Sequence, residues 1–180
     1  MRISPENTLA LIVDYQEKLV PAMSDIDSLI HNSSILLKGL AVLGIPAIIT
    51  QQYTRGLGET VPEILEATGP CPVFDKITFS CYQDKEIRSA VRSSGRKTVL
   101  VCGIESHVCV LQTVIDLLGD GYRVVLVEDC IDSRKPSDKA TALIRARQEG
   151  ALITSYEAIL FELTHIAGNE RFKQISKLVK

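Results

Sequence analysis

The strongest constraint on what this chain can fold into is the shape of its apolar runs. They are short, unbroken by polar residues, and separated by stretches with helical spacing. Residues 9–13 read LALIV, 45–50 IPAIIT, 98–102 TVLVC and 124–127 VVLV. None alternates apolar with polar, as a strand with one wet face would. A strand that is apolar on successive side chains is covered on both faces, which is the signature of a parallel sheet between helices. The intervening segments supply those helices. In 26–43 the apolar positions Ile30, Leu36, Leu37, Leu40 and Leu43 recur at helical spacing, and Gly44 is placed to stop the helix. Further helices are predicted over 62–67, 83–94, 106–118, 137–149, 156–165 and 170–178, with short strands over 70–75 and 151–154. Six strands alternating with helices predict a three-layer α/β/α sandwich, with a six-stranded parallel Rossmann-like sheet in a single domain over 1–180.

Length and charge narrow the function classes. A chain of 180 residues buries roughly 70% of its unfolded surface. Its net charge is −2 with no cluster of lysines and arginines, so neither nucleic acid nor an anionic membrane is the expected partner; a small molecule is. No run approaches the ~20 apolar residues of a membrane span. The N-terminal apolar run is short and ends in an aspartate, which is unlike a secretory signal. Five cysteines, an odd number without a CxxC pair, suit free thiols in a reducing cytoplasm. The expectation is a cytoplasmic protein.

Open parallel sheets bind ligands outside the carboxyl ends of their strands. That rule singles out Asp14, Gln51 and Gln52, Lys76, residues 103–109 and Asp129. Among them, Cys109 is the question. By itself a cysteine at the start of the apolar stretch VLQTVIDLL is either a small core hydrophobe or a thiolate at a helix N-terminus. A nucleophilic cysteine needs a base and a charge partner, and Asp14 and Lys76 are available at other strand ends. Cys102 lies inside a strand and reads as packing, while Cys71 and Cys130 fall at strand edges with no evident partner. His107 stands two positions before Cys109, a spacing that points the two side chains apart, so it is assigned to the pocket and not to a dyad. The segment TRGLGE reads as a loop or part of a pocket lid.

Three stretches, LIVDYQ, KITFSCY and GIESHVC, together resemble the isochorismatase-like cysteine hydrolases. The similarity extends through DLLGDGYRVVLVEDCIDSR and TSYEAILFEL, and is strongest to the small isochorismatase-domain subgroup related to nicotinamidases. The resemblance implies a catalytic Asp14–Lys76–Cys109 triad. It also implies a cis peptide between Ile104 and Glu105, and an oxyanion hole built from the backbone N–H groups of Glu105 and Cys109. Gln52, Tyr53, Phe79, Cys81 and His107 are then the candidate substrate contacts. Related nicotinamidases carry a metal-binding Asp-x-His where this chain has TQQYTRG. With only His31, His107 and His165 available, no ligand set for a catalytic zinc is expected. No glycine-rich phosphate fingerprint follows a strand, so no organic cofactor is expected.

The implied activity is metal-independent hydrolysis of a small amide through a Cys109 thioester. Two alternatives stand beside it: a vinyl ether hydrolase of the isochorismatase type, and a non-catalytic binding or assembly protein that keeps the fold. The resemblance also implies a homo-oligomer. Apolar Ile159, Leu160, Phe161, Leu163, Phe172, Ile175 and Leu178 in the last two helices point the same way, because they occupy more than one helical face.

Overall fold

The computed structural model describes residues 2–180. Its six strands are β1 Thr8–Val13, β2 Ala47–Gln52, β3 Val73–Lys76, β4 Thr98–Ile104, β5 Arg123–Asp132 and β6 Leu152–Thr154. They form one sheet in the order β3-β2-β1-β4-β5-β6, and every pairing is parallel. The helices are α1 Ile26–Val42, α2 Thr54–Leu57, α3 Pro62–Thr68, α4 Lys85–Ser93, α5 Leu111–Gly119, α6 Pro136–Glu149, α7 Tyr156–Thr164 and α8 Glu170–Leu178.

The unbroken runs are explained by two separate cores. Along β1 and β4, Ala10, Ile12, Leu100 and Cys102 face a core shared with Leu36 and Leu40 of α1, Ile159 and Leu160 of α7 and Ile175 of α8. Their alternate neighbours Leu9, Leu11, Val13, Val99 and Val101 face a second core with Ile87 and Val91 of α4 and Val114 and Leu117 of α5. Each buried Val, Leu or Ile side chain among them contributes roughly 1.5–3 kcal/mol. A polar residue at any of these positions would be stranded in one core or the other.

Several boundaries differ from expectation. β5 continues past the apolar run to Asp132, because a register shift between Val101 and Gly103 lets it pair again at Ile131 and Asp132. Asp129 therefore lies inside β5 and not at its end. Its Oδ1 accepts the Tyr156 N–H at 2.8 Å, so it anchors the start of α7. Cys130 is fully buried in the same strand, not at its edge. The segment read as a loop or lid winds into α2, with Gly56 and Gly58 carbonyls accepting from Lys18 and Gln16. The last two helices pack largely on their own chain. Ile159, Leu160, Leu163 and Ile175 are buried there, and Phe161 stands against Phe172. These positions are thus no argument for an interface.

The strand order reverses between β1 and β4, and the crevice lies at their carboxyl ends. Gly103 permits the close approach there. Its φ is +131°, and a Cβ would stand 2.1 Å from the Val13 carbonyl oxygen. We predict that Gly103→Ala lowers stability by about 3 kcal/mol or more, read as a melting temperature depressed by roughly 10 °C.

Candidate active site

Asp14 is the first residue after β1 and adopts a left-handed conformation, φ 54°, which aspartate tolerates better than most residues. The turn places its carboxylate wholly out of solvent. Oδ2 accepts from Lys76 Nζ at 2.7 Å, and Oδ1 accepts from Thr50 Oγ1 at 2.7 Å. Lys76 closes β3 and is 2% exposed. Its ammonium also donates to Gln52 Oε1 at 2.6 Å and to the Thr78 and Phe79 carbonyls at 3.2 and 3.3 Å. Burial acts against the charged lysine. At the high pH where lysine titrates, the charges of ionised Cys81, Asp14 and Cys109, with the hydrogen bond to Asp14, outweigh it and hold the Lys76 pKa above its ordinary value. A raised lysine pKa contributes stability that is complete at neutral pH and is lost only as pH climbs through that value.

Cys109 faces this pair. The expected helix over 106–118 is in fact a π-turn, Ser106–Val110, followed by α5; wide turns of this kind recur at functional sites. Cys109 therefore sits in the π-turn and not in an α-helix. It is 6% exposed. Burial pushes the Cys109 thiol pKa up, Asp14 pushes it further by its charge and a hydrogen bond, and Lys76 pulls the other way. The resting group is a thiol beside a carboxylate. The Ile104–Glu105 peptide at the start of this turn is cis.

The other candidate contacts divide. Gln52 bonds Lys76 and donates through Nε2 to the Ile77 carbonyl at 3.0 Å. Cys81 is fully buried, its sulfur 3.4 Å from Thr50 Oγ1, and its pKa rises to about 11, chiefly through burial and then Asp14. Thr113 Oγ1 accepts the Cys81 N–H at 2.9 Å and donates to the Cys109 carbonyl at 2.7 Å, tying the two segments together. Tyr53 and Phe79 are 52% and 55% exposed at the rim. His107 turns away from Cys109: its Nδ1 is 3.0 Å from Ser133 Oγ and its Nε2 is 3.8 Å from Asp138. The Glu105 carboxylate is taken by Arg134 at 2.9 Å. Among the described residues, no three His, Cys, Asp or Glu side chains converge to hold a metal ion, and no helix is long and apolar enough to cross a membrane. Thr50, Thr113 and Gln16 are the members that sequence reasoning missed. Thr50 and Gln16 were hinted at only by their position in or beside strand ends, and Thr113, inside α5, by nothing.

A doubly wound parallel sheet with a buried Asp–Lys pair and a thiol at its switch point has the architecture of the isochorismatase-like hydrolases. A structure described as MAR1 ribonuclease from Caenorhabditis elegans superposes with a TM-score of 0.93 at 36% identity, covering 99% of this chain and 92% of that one. The Escherichia coli YcaC gene product, described as an octameric hydrolase of unknown specificity, shares the fold with a TM-score of 0.91 at 23% identity, over 99% and 89% of the two chains. The chain belongs to the isochorismatase family: the family's model, the isochorismatase domain, matches residues 8–158. The secreted isochorismatase effector Isc1 of Phytophthora sojae is 40% identical over 183 residues, spanning 99% of this chain and 87% of that protein. The protein is thus an isochorismatase-family hydrolase.

Two predictions follow from burial. Lys76→Met strands the Asp14 carboxylate and lowers stability by about 3–5 kcal/mol, whereas Asp14→Asn combined with Lys76→Met recovers most of that loss; urea denaturation of both single variants and the double variant measures the coupling. The thiols of Cys81 (about 11), Cys102 (about 12), Cys109 and Cys130 all have pKa values raised first by burial. Unfolded thiols release protons above about pH 8.5 while these do not, so stability falls as pH rises, by about 5 kcal/mol at roughly pH 9.5. Denaturation midpoints across that range check the sign.

Proposed function

We propose that this hydrolase cleaves the C–N bond of a small carboxamide through a covalent Cys109 thioester, without a metal or organic cofactor. The observation that carries the reading is the Cys109 thiol set against a carboxylate that is locked in place by a buried ammonium. As the sulfur attacks the carbonyl carbon, its proton passes to Asp14, so no free thiolate has to persist in a buried site. Lys76 stays charged throughout and holds Asp14 in line. The backbone N–H groups of Glu105 and Cys109 are assigned to the oxyanion. Support for this is that the first N–H groups of a helical turn lack intrahelical acceptors. Asp14 then protonates the leaving nitrogen and the C–N bond breaks. A water deprotonated by Asp14 attacks the thioester, the C–S bond breaks, and the sulfur takes the proton back.

We also take the whole chain as one catalytic domain and the protein as a cytoplasmic homo-oligomer. Five cysteines outside any disulfide suit a reducing compartment. Exposed Ile77, Phe79 and Tyr53 form an apolar rim beside Lys76, of the kind that another subunit covers, and the octameric YcaC product supports the same reading. The ribonuclease described for the C. elegans structure fits this site less well. Lys76 and Arg134 are already paired with Asp14 and Glu105, so neither is free to take a phosphate.

An ammonia-release screen over small carboxamides, run beside RNA and a vinyl ether substrate, tests the proposal. Release from an amide is expected. Cys109→Ala and Asp14→Asn each lower it by about 1,000-fold or more, the double variant loses no more than either alone, and chelation by EDTA leaves it unchanged. Turnover of RNA or the vinyl ether alone, or undiminished turnover by Cys109→Ala, overturns it.

A further inference from the structure

Gln52 lies directly across from Lys76 in the β2–β3 register. Its carboxamide has one orientation that satisfies both ends: Oε1 on the ammonium at 2.6 Å and Nε2 donating to the Ile77 carbonyl at 3.0 Å. The main chain beneath it is clamped by Gln16, two residues after Asp14 and fully buried. Gln16 Oε1 accepts the Gln52 N–H at 2.6 Å, and its Nε2 donates to the carbonyls of Gln52 at 3.0 Å and Gly58 at 2.6 Å. One side chain thus joins the carboxyl ends of β1 and β2, which carry Asp14 and Gln52. A loosely held loop glutamine awaiting substrate would have neither the fixed amide nor the clamped backbone.

We infer that Gln52 is a positioning residue: it holds the Lys76 ammonium on Asp14 through a neutral acceptor, in place of the substrate contact that its position in the sequence suggests. Neutrality matters as much as the hydrogen bond. Among the described residues Lys76 is the sole cation and Asp14 the sole carboxylate in contact there, so the charges balance, and Asp14 is free to exchange a proton with Cys109. A carboxylate at position 52 would share the same ammonium and make Asp14 harder to ionise, because like charges favour the protonated form. The groups facing Asp14 are Lys76 at the end of β3, Cys109 in the π-turn and Cys81 in the segment after β3, with neutral Thr50 on β2.

This inference rests on the reading of Asp14 as the base for Cys109, and the test separates the two. Cys109 labelling is followed by mass spectrometry with iodoacetamide, an amide, and with methyl methanethiosulfonate, which has no amide to be recognised. Rates are taken between about pH 5 and 9 on the full chain, with melting curves for each variant. Asp14→Asn is expected to slow both probes by about 100-fold; unchanged labelling there overturns the base reading itself. Given a slow Asp14→Asn, Gln52→Leu is expected to slow both probes equally, by about 10-fold. Gln52→Glu keeps the reach and the acceptor, so it restores the rate at high pH while moving the acid limb of the profile up by about one pH unit. Slowing of iodoacetamide alone would make Gln52 a substrate contact, and wild-type rates and profiles in both variants would remove it from the site; either overturns the inference. If Gln52→Leu fails to fold, the direction of the Gln52→Glu acid limb decides.

Discussion

The buried ion pair between Asp14 and Lys76 is the interaction on which the site depends. Two charges 2.7 Å apart, both removed from water, are tolerated only when every remaining donor and acceptor is satisfied. The molecule meets that requirement by converging on them from four places in the chain. Thr50 fills the second carboxylate oxygen, Gln52 and two carbonyls of the segment after β3 fill the ammonium, and Gln16 fixes the strand end that carries Gln52. Losing Thr50 leaves the second Asp14 oxygen without that donor, and losing Gln52 takes the shortest neutral contact from the ammonium.

The sheet makes this convergence feasible. Strand order reverses between β1 and β4, so the residues leaving those two strands diverge and open a crevice. Gly103, with no Cβ to strike the Val13 carbonyl, lets the two strands come together immediately below it. The π-turn after β4 then carries Cys109 toward Asp14, while His107 swings out to Ser133 and Asp138.

A buried thiol is a poor nucleophile until it loses its proton, and burial and the adjacent Asp14 charge keep that proton on Cys109 at rest. The arrangement keeps a neutral thiol in contact with a carboxylate in place of a standing thiolate. Cys81 shares the same environment without the same exposure, sealed behind Thr50 and Thr113. Two cysteines of similar chemistry thus differ in access, and access is decided by packing.

The amino-acid sequence alone determined the layered parallel sheet, because runs such as LALIV and TVLVC have no polar residue to spare for a wet face. It also placed Asp14, Lys76 and Cys109 at strand ends, since punctuation of apolar runs by polar residues is a local signal. Three matters were outside its reach. The length of β5 depends on a bulge opposite Gly103, and the polar pair Glu128 and Asp129 masks the continuation. The cover over Ile159, Leu160 and Ile175 comes from α1 and the sheet, which no periodicity within α7 and α8 reveals. The partners of Gln52, Thr50 and Thr113 come from residues 24, 36 and 32 positions away. Which polar side chain meets which charge is set by strand order and register, and those exist only once distant segments have paired in the folded sheet.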